Sequence, residues 1–92
     1  MEIQIMSHRG HHEGVLEVAD AKLVFAKMTG QMIDPLPDEV KSRIPSTFEE
    51  LEAIWGTGKI RYAAFSPSRQ EFVSEFDPDI EDLLFMPPLV AG

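Results

Sequence analysis

Alternating apolar and polar residues at the start of the chain predict a β-strand. Every second residue in residues 1–5 is apolar, and this period of two is typical of a strand with one buried face. A polar stretch with two glycines, residues 7–14, follows and predicts a turn. The apolar pattern resumes over residues 15–18, so the sequence predicts an N-terminal hairpin of two strands.

Three helices are predicted after this hairpin. Asp20 is a good N-cap for the first helix and Gly30 a good terminator, and the apolar residues between them recur at the spacing of one helical face. A second, short helix is predicted to begin at Pro37 and to end at Pro45. The third helix, residues 47–55, opens with a capping box and has an apolar face.

Three further strands are predicted in the last third of the chain. Residues 60–65 alternate in the manner of a strand, and the turn at residues 66–69 separates them from a fourth strand at residues 72–76. Residues 83–86 form a continuous apolar run that stops at Pro87. Such a run is typical of a short strand that is buried on both faces near the centre of a sheet.

The order of these elements predicts an α+β fold. We expect a mixed sheet of about four to five strands, crossed by one main helix and accompanied by an extra helical insertion. Residues 83–86 are expected to pair with residues 3–6. A chain of 92 residues corresponds to one domain. The expected core contains five large apolar residues: Phe25, Phe48, Leu51, Trp55 and Phe85.

Composition narrows the classes of function. Sixteen acidic residues against eight basic ones give a formal charge of −8, which argues against binding to nucleic acid or to an anionic membrane. The chain contains no cysteine, so disulfides, thiolate zinc sites and cysteine catalysis are excluded. No apolar run approaches the roughly 20 residues of a membrane span. A cytoplasmic location is therefore expected.

The sequence from residue 83 onward resembles the C-terminal segment of known protein families. An apolar strand is followed by Pro87 and Pro88, then by Leu89 and Val90, and then by Ala91-Gly92. This order resembles the C-terminus of the ubiquitin-like β-grasp sulfur carriers, the MoaD and ThiS families. It also resembles the end of the ubiquitin-like domain in lambda-I-type phage tail-assembly proteins. The sulfur carriers end in Gly-Gly, whereas this chain has Ala-Gly.

The resemblance implies a single ubiquitin-like β-grasp domain, residues 1–92, with a short tail at residues 88–92. In the sulfur-carrier version an activating enzyme adenylylates Gly92, which then carries a thiol or forms an amide. In the tail-assembly version Ala91 and Gly92 lead into a longer chain or are cut from it. Either way, the protein is a carrier, a modifier or an assembly module. The residues expected to attach or dock are those of the tail: Leu89, Val90, Ala91 and Gly92.

A run of carboxylates between residues 71 and 82 supports an alternative function. Its twelve residues include six acidic residues and no basic residue. These carboxylates favour an acidic binding module or inhibitor that docks on a basic protein surface, although a solvated sheet edge that discourages aggregation has the same composition. The acidic residues are Glu71, Glu75, Asp77, Asp79, Glu81 and Asp82.

The sequence gives no positive sign of catalysis, of a cofactor or of a metal site, so the protein is not expected to be an enzyme. His8, His11, His12 and Glu13 are metal-capable residues, but they fall in the predicted turn, where nothing fixes ligand geometry. We therefore expect weak zinc binding at most. The histidines are bunched in one place, so no Ser-His-carboxylate set is indicated.

Overall fold

A computed structural model describes residues 1–7, 10–32, 34–45, 48 and 61–87 of the chain. Within these residues the chain forms a small α+β domain with five strands and two helices. The strands are β1 (Glu2–Ser7), β2 (Gly10–Val15), β3 (Ala63–Ser66), β4 (Glu71–Phe72) and β5 (Asp82–Met86), and the helices are α1 (Val18–Met28) and α2 (Asp38–Arg43).

The five strands form one mixed sheet in the order β2-β1-β5-β3-β4. The central strands β1 and β5 are parallel, with Ile3 opposite Leu83 and Ile5 opposite Phe85. The other neighbouring strands are antiparallel. The expected pairing of residues 83–86 with residues 3–6 and the expected mixed sheet are therefore confirmed.

The core lies between the inner face of this sheet and α1. Because side chains alternate along a strand, Ile3, Ile5, Leu83 and Phe85 all point to this face, and each is at most 1% exposed. Phe25 of α1 packs against them, with its ring centroid 6.2 Å from that of Phe85. The expected burial of Phe25, Phe48 and Phe85 is confirmed, whereas Leu51 and Trp55 lie outside the described residues.

The predicted N-terminal hairpin is present, but its second strand lies earlier than expected. Strand β2 begins at Gly10, so most of the predicted turn at residues 7–14 is extended and pairs with β1. The polar residues of β2 are held by this pairing and by the segment after α2, which packs on Gly14 through Pro45 and Phe48. Of the apolar residues assigned to the second strand, Val15 is the last residue of β2, whereas Leu16 lies in the link before α1 and Val18 is the first residue of α1.

Two side-chain contacts fix the helices. Helix α1 begins at Val18 with Glu17 as its N-cap, so the prediction that Asp20 is the N-cap is wrong. Asp20 lies inside the helix and is buried, and its carboxylate pairs with Arg43 of α2. Lys27, also buried, donates from Nζ to the backbone carbonyl of Asp34, 3.1 Å away, and so binds the connecting loop to α1.

The remaining elements agree in part with the predictions made from the sequence. The predicted short helix is present as α2, but it begins at Asp38, one residue later than predicted, with Pro37 as its N-cap. Strand β4 is shorter than the predicted residues 72–76, because the chain turns inward and Phe76 packs edge-on against Phe25 at 5.7 Å. The predicted helix at residues 47–55 lies outside the described residues except for Phe48.

Candidate functional site

The acidic segment divides into carboxylates with internal partners and carboxylates in solvent. Asp77 has internal partners: Oδ1 accepts a hydrogen bond from the backbone N–H of Asp79 at 2.9 Å, and Oδ2 accepts one from Nη1 of Arg69 at 2.9 Å. The bond from Asp79, followed by the one from Arg69, lowers the pKa of Asp77 below its ordinary value. Asp77 therefore closes its own turn and ties that turn to Arg69.

Asp82 has the largest set of internal partners. Its carboxylate accepts hydrogen bonds from the Ser68 hydroxyl at 2.6 Å, from the Ser68 backbone N–H at 3.2 Å and from the Ser66 hydroxyl at 3.1 Å. Burial alone would raise the pKa of Asp82, but these hydrogen bonds outweigh burial, and the pKa lies below its ordinary value. Asp82, which is the first residue of β5, therefore binds the turn between β3 and β4.

The other four carboxylates of the segment are exposed and make no hydrogen bond or ion pair among the described residues: Glu71, Glu75, Asp79 and Glu81. Asp79 sits beside Asp77, and Glu71 directly follows the turn that Asp77 and Asp82 hold. The structure thus gathers part of the acidic segment around the β3–β4 turn. These exposed carboxylates are the ones available to a basic partner.

The second prominent surface is the face of the sheet that points away from α1, here called the open face. Leu84 and Met86 are only partly buried, so the prediction that residues 83–86 are buried on both faces is wrong for these two residues. Phe72, at the β4 edge, is 68% exposed, and Met6 on β1 is 44% exposed. Large apolar side chains that remain accessible on a sheet face are typical of an interaction site.

Charge is distributed unequally between the two sides of the domain. The described strands place Glu2, Glu13 and Asp82 on the open face, together with His11, which pairs with Glu13, and they contain no lysine or arginine. Four of the six described basic residues lie instead on the helices: Lys22, Lys27, Lys41 and Arg43. The open face is therefore apolar in part and acidic in part. This combination was missed in the sequence because Leu84 and Met86 stand within a continuous apolar run.

The described histidines lie in β2 and not at a turn. His11 and Glu13 form an exposed pair, with Nε2 and Oε1 2.7 Å apart, while His12 is buried on the inner face. Among the described residues, no group of three or more His, Cys, Asp or Glu is arranged to hold a metal ion. His8 lies outside the described residues.

The tail residues Leu89, Val90, Ala91 and Gly92 also lie outside the described residues. The structure describes the strand that leads to them: β5 is central in the sheet, and Pro87 directly follows its last residue, Met86. In the described part of the chain, no helix is long and apolar enough to cross a membrane.

Comparison with known proteins does not assign the chain to a family. No family model, no curated protein and no solved structure matches the chain significantly.

Proposed function

We propose that this chain is a ubiquitin-like β-grasp domain that acts by binding other proteins and is not an enzyme. The observation that carries the proposal is the sheet order β2-β1-β5-β3-β4, with β1 and β5 parallel at the centre and α1 packed across one face. This arrangement is compatible with a β-grasp fold. A cytoplasmic location is part of the same proposal.

The proposed working part is the segment that follows β5. The central strand β5 ends at Met86, and Pro87, which follows it, cannot donate a ladder hydrogen bond. The residues from 83 to 92 resemble the ends of sulfur carriers and of tail-assembly domains. The protein is accordingly proposed to act as a carrier, a modifier or an assembly module through Ala91 and Gly92.

A comparison of three tagged chains tests this function. The intact chain, a chain without Ala91 and Gly92, and a chain extended by two residues after Gly92 are incubated in cell extract with ATP, and their complexes are identified by mass spectrometry. A carrier or modifier is expected to form covalent adducts only as the intact chain. An assembly module is expected to keep its partner when extended and to lose it when truncated. Identical complexes from all three chains would contradict the tail function.

The exposed carboxylates favour a second candidate, an acidic module that docks on a basic protein surface. Glu75, Asp79 and Glu81 are exposed and lack internal partners among the described residues. Replacing these three residues by Gln, Asn and Gln is expected to slow association with such a partner, mainly at low salt, because screening weakens long-range attraction. Association rates that do not change at low ionic strength would exclude docking through these residues.

A further inference from the structure

A single row of directly paired residues crosses all five strands on the open face. In strand order, Glu13 is opposite Gln4, Gln4 is opposite Leu84, Leu84 is opposite Phe65, and Phe65 is opposite Phe72. Residues that are directly opposite each other in a sheet present their side chains on the same face. The row therefore runs from a carboxylate at the β2 edge to an exposed aromatic ring at the β4 edge.

The β4 half of this row is apolar and accessible. The rings of Phe65 and Phe72 meet edge to face with centroids 5.1 Å apart, and Phe72 remains 68% exposed. At the β4 edge, a shallow groove of about 320 Å³ is lined by Thr29 and Gln31 beyond α1 as well as by Phe72 and Val73, so Phe72 is the one residue of the row that borders it. Burial of an apolar partner side chain against these two rings would remove aromatic surface from water.

The β2 half of the row is acidic. A second groove, of about 210 Å³, lies between β1 and β2, and its lining includes Glu2, Gln4 and Glu13. The side chain of Val15 also borders this groove. A cationic side chain placed here would meet Glu2 and would share Glu13 with His11, whose Nε2 lies 2.7 Å from Oε1 of Glu13. The described strands contain no lysine or arginine to oppose it.

The spacing of the two halves limits the shape of an occupant. The row contains four steps between neighbouring strands, so its ends are roughly 19 Å apart at a strand spacing of about 4.8 Å. A helix that crosses the strands needs about 13 residues to cover this distance. The surface therefore suits one short amphipathic segment with its cations near one end and its apolar residues near the other.

We propose that the open face binds a helical segment of a partner protein that places Lys or Arg side chains over Glu2 and Glu13 and apolar side chains over Leu84, Phe65 and Phe72. This inference rests on the proposed protein-binding function and adds to it the chemistry of the partner. The charge of the face and the order of its two halves set both the composition and the direction of the segment.

Synthetic peptides of about 14 residues, a length that spans the row as a helix, provide the test. The probe carries lysines in one half and leucines in the other. One control peptide replaces the lysines by glutamates, and a second replaces the leucines by serines. Each peptide is titrated into the isotopically labelled protein, and the amide NMR shifts are followed. The probe is expected to shift the amide signals of the five residues of the row, and each control peptide is expected to bind at least tenfold more weakly.

Matched variants separate the two halves of the surface. Phe72→Ser is expected to weaken binding of the probe at least tenfold and to keep the melting temperature close to that of the original chain, because its ring is largely exposed. Glu13→Gln is expected to weaken binding several-fold at low salt and to have little effect at high salt. Glu39→Gln changes an exposed carboxylate on α2, outside both the row and the acidic segment; it is the control and is expected to leave the affinity unchanged.

Several results would overturn the inference. They are equal affinity for the glutamate peptide, no binding of the probe, shifts confined to the helices, and unchanged affinity of the Phe72→Ser chain. A concentration-dependent dimer of the original chain that Phe72→Ser abolishes would show that a second copy occupies the face, and would overturn it also. Probe binding that persists without tail-dependent complexes would refute the carrier or assembly function alone. Tail-dependent complexes without probe binding would refute this inference alone.

Discussion

Asp20 of α1 and Arg43 of α2 form a two-point ion pair across the helical side of the domain. Nε of Arg43 donates to Oδ2 of Asp20 at 2.9 Å, and Nη2 donates to Oδ1 at 2.8 Å. The Asp20 side chain is almost fully buried, whereas the Arg43 side chain is half exposed. Removal of Arg43 would therefore leave a buried carboxylate without its partner, and this is more costly than leaving an exposed guanidinium unpaired.

The ion pair makes stability depend on pH. The hydrogen bonds from Arg43 lower the pKa of Asp20 against the opposing effect of burial. The stabilisation is therefore fully present above the pKa of the unfolded carboxyl, about 3.9, and is lost as the pH falls through the lower pKa of the folded state. We expect Asp20→Asn to unfold at lower urea concentration than the original chain at about pH 7, with a smaller difference at about pH 3.

Asp34→Asn is the control for this pH dependence, because the Asp34 side chain is exposed and only its backbone carbonyl is used. It is expected to follow the original chain at both pH values. An Asp20→Asn chain whose loss of stability is the same at both pH values would contradict the ion-pair explanation.

Asp82 is expected to stabilise the β3–β4 turn, in contrast to its exposed neighbour Glu81. Asp82→Ala removes the acceptor of three hydrogen bonds from Ser66 and Ser68 and is expected to cost on the order of 1–2 kcal/mol of unfolding free energy. Glu81→Ala, measured in the same urea titration, is expected to change stability by less than about 0.5 kcal/mol. Equal losses from the two substitutions would argue against an internal role for Asp82.

Phe85 and Phe72 are the same residue type in opposite environments. Phe85 is fully buried against Phe25, so Phe85→Ala is expected to cost about 3–5 kcal/mol. Phe72 is largely exposed, and its ring meets the ring of Phe65 edge to face, so Phe72→Ala is expected to cost less than about 1.5 kcal/mol. Chemical denaturation of both variants measures the difference, and a reversed order would show that the two faces of the sheet are wrongly assigned.

Gly14 is expected to be required because of close packing and not because of its backbone angle. A Cβ at this position would clash with Cγ of Pro45 and would lie 3.3 Å from Cζ of Phe48. Gly14→Ala is therefore expected to cost about 1–3 kcal/mol. Without the clash, the same substitution would be neutral or stabilising, because alanine restricts the unfolded chain.

Adding Pro45→Ala to Gly14→Ala tests the cause, because it removes the clashing atom. The double variant is expected to recover part of the stability lost in the single one, after the effect of Pro45→Ala alone is subtracted. Strictly additive losses would mean that Gly14 and Pro45 do not interfere.

Local patterns predicted the elements that bury their own apolar residues. The alternation before β2, the apolar spacing around Phe25 and the run that contains Phe85 led to the correct strands, to α1 and to the central pairing. Patterns failed where a distant partner decides the outcome. The polar segment β2 is a strand because it pairs with β1. Asp20 lies inside α1 and not at its N-cap, and its carboxylate pairs with Arg43.

The sequence predicted the composition of the candidate surfaces but not the arrangement of their residues. The sequence indicated six clustered carboxylates but did not distinguish Asp82, which binds the turn, from Glu81, which faces solvent. The open face was not predicted, because the row from Glu13 to Phe72 takes one residue from each of five strands. Such a row exists only after the register of every strand pair is set.

The parallel pairing of β1 with β5 has a consequence for how the domain forms. Ile3 and its partner Leu83 are 80 positions apart in the sequence, so the centre of the sheet closes a very long loop. Non-local contacts of this kind slow folding, whereas the β1–β2 hairpin and α1 need only nearby residues. On the ribosome, the hairpin and the helix can therefore form early, but their apolar surfaces stay uncovered until β5 has been synthesised and enters beside β1.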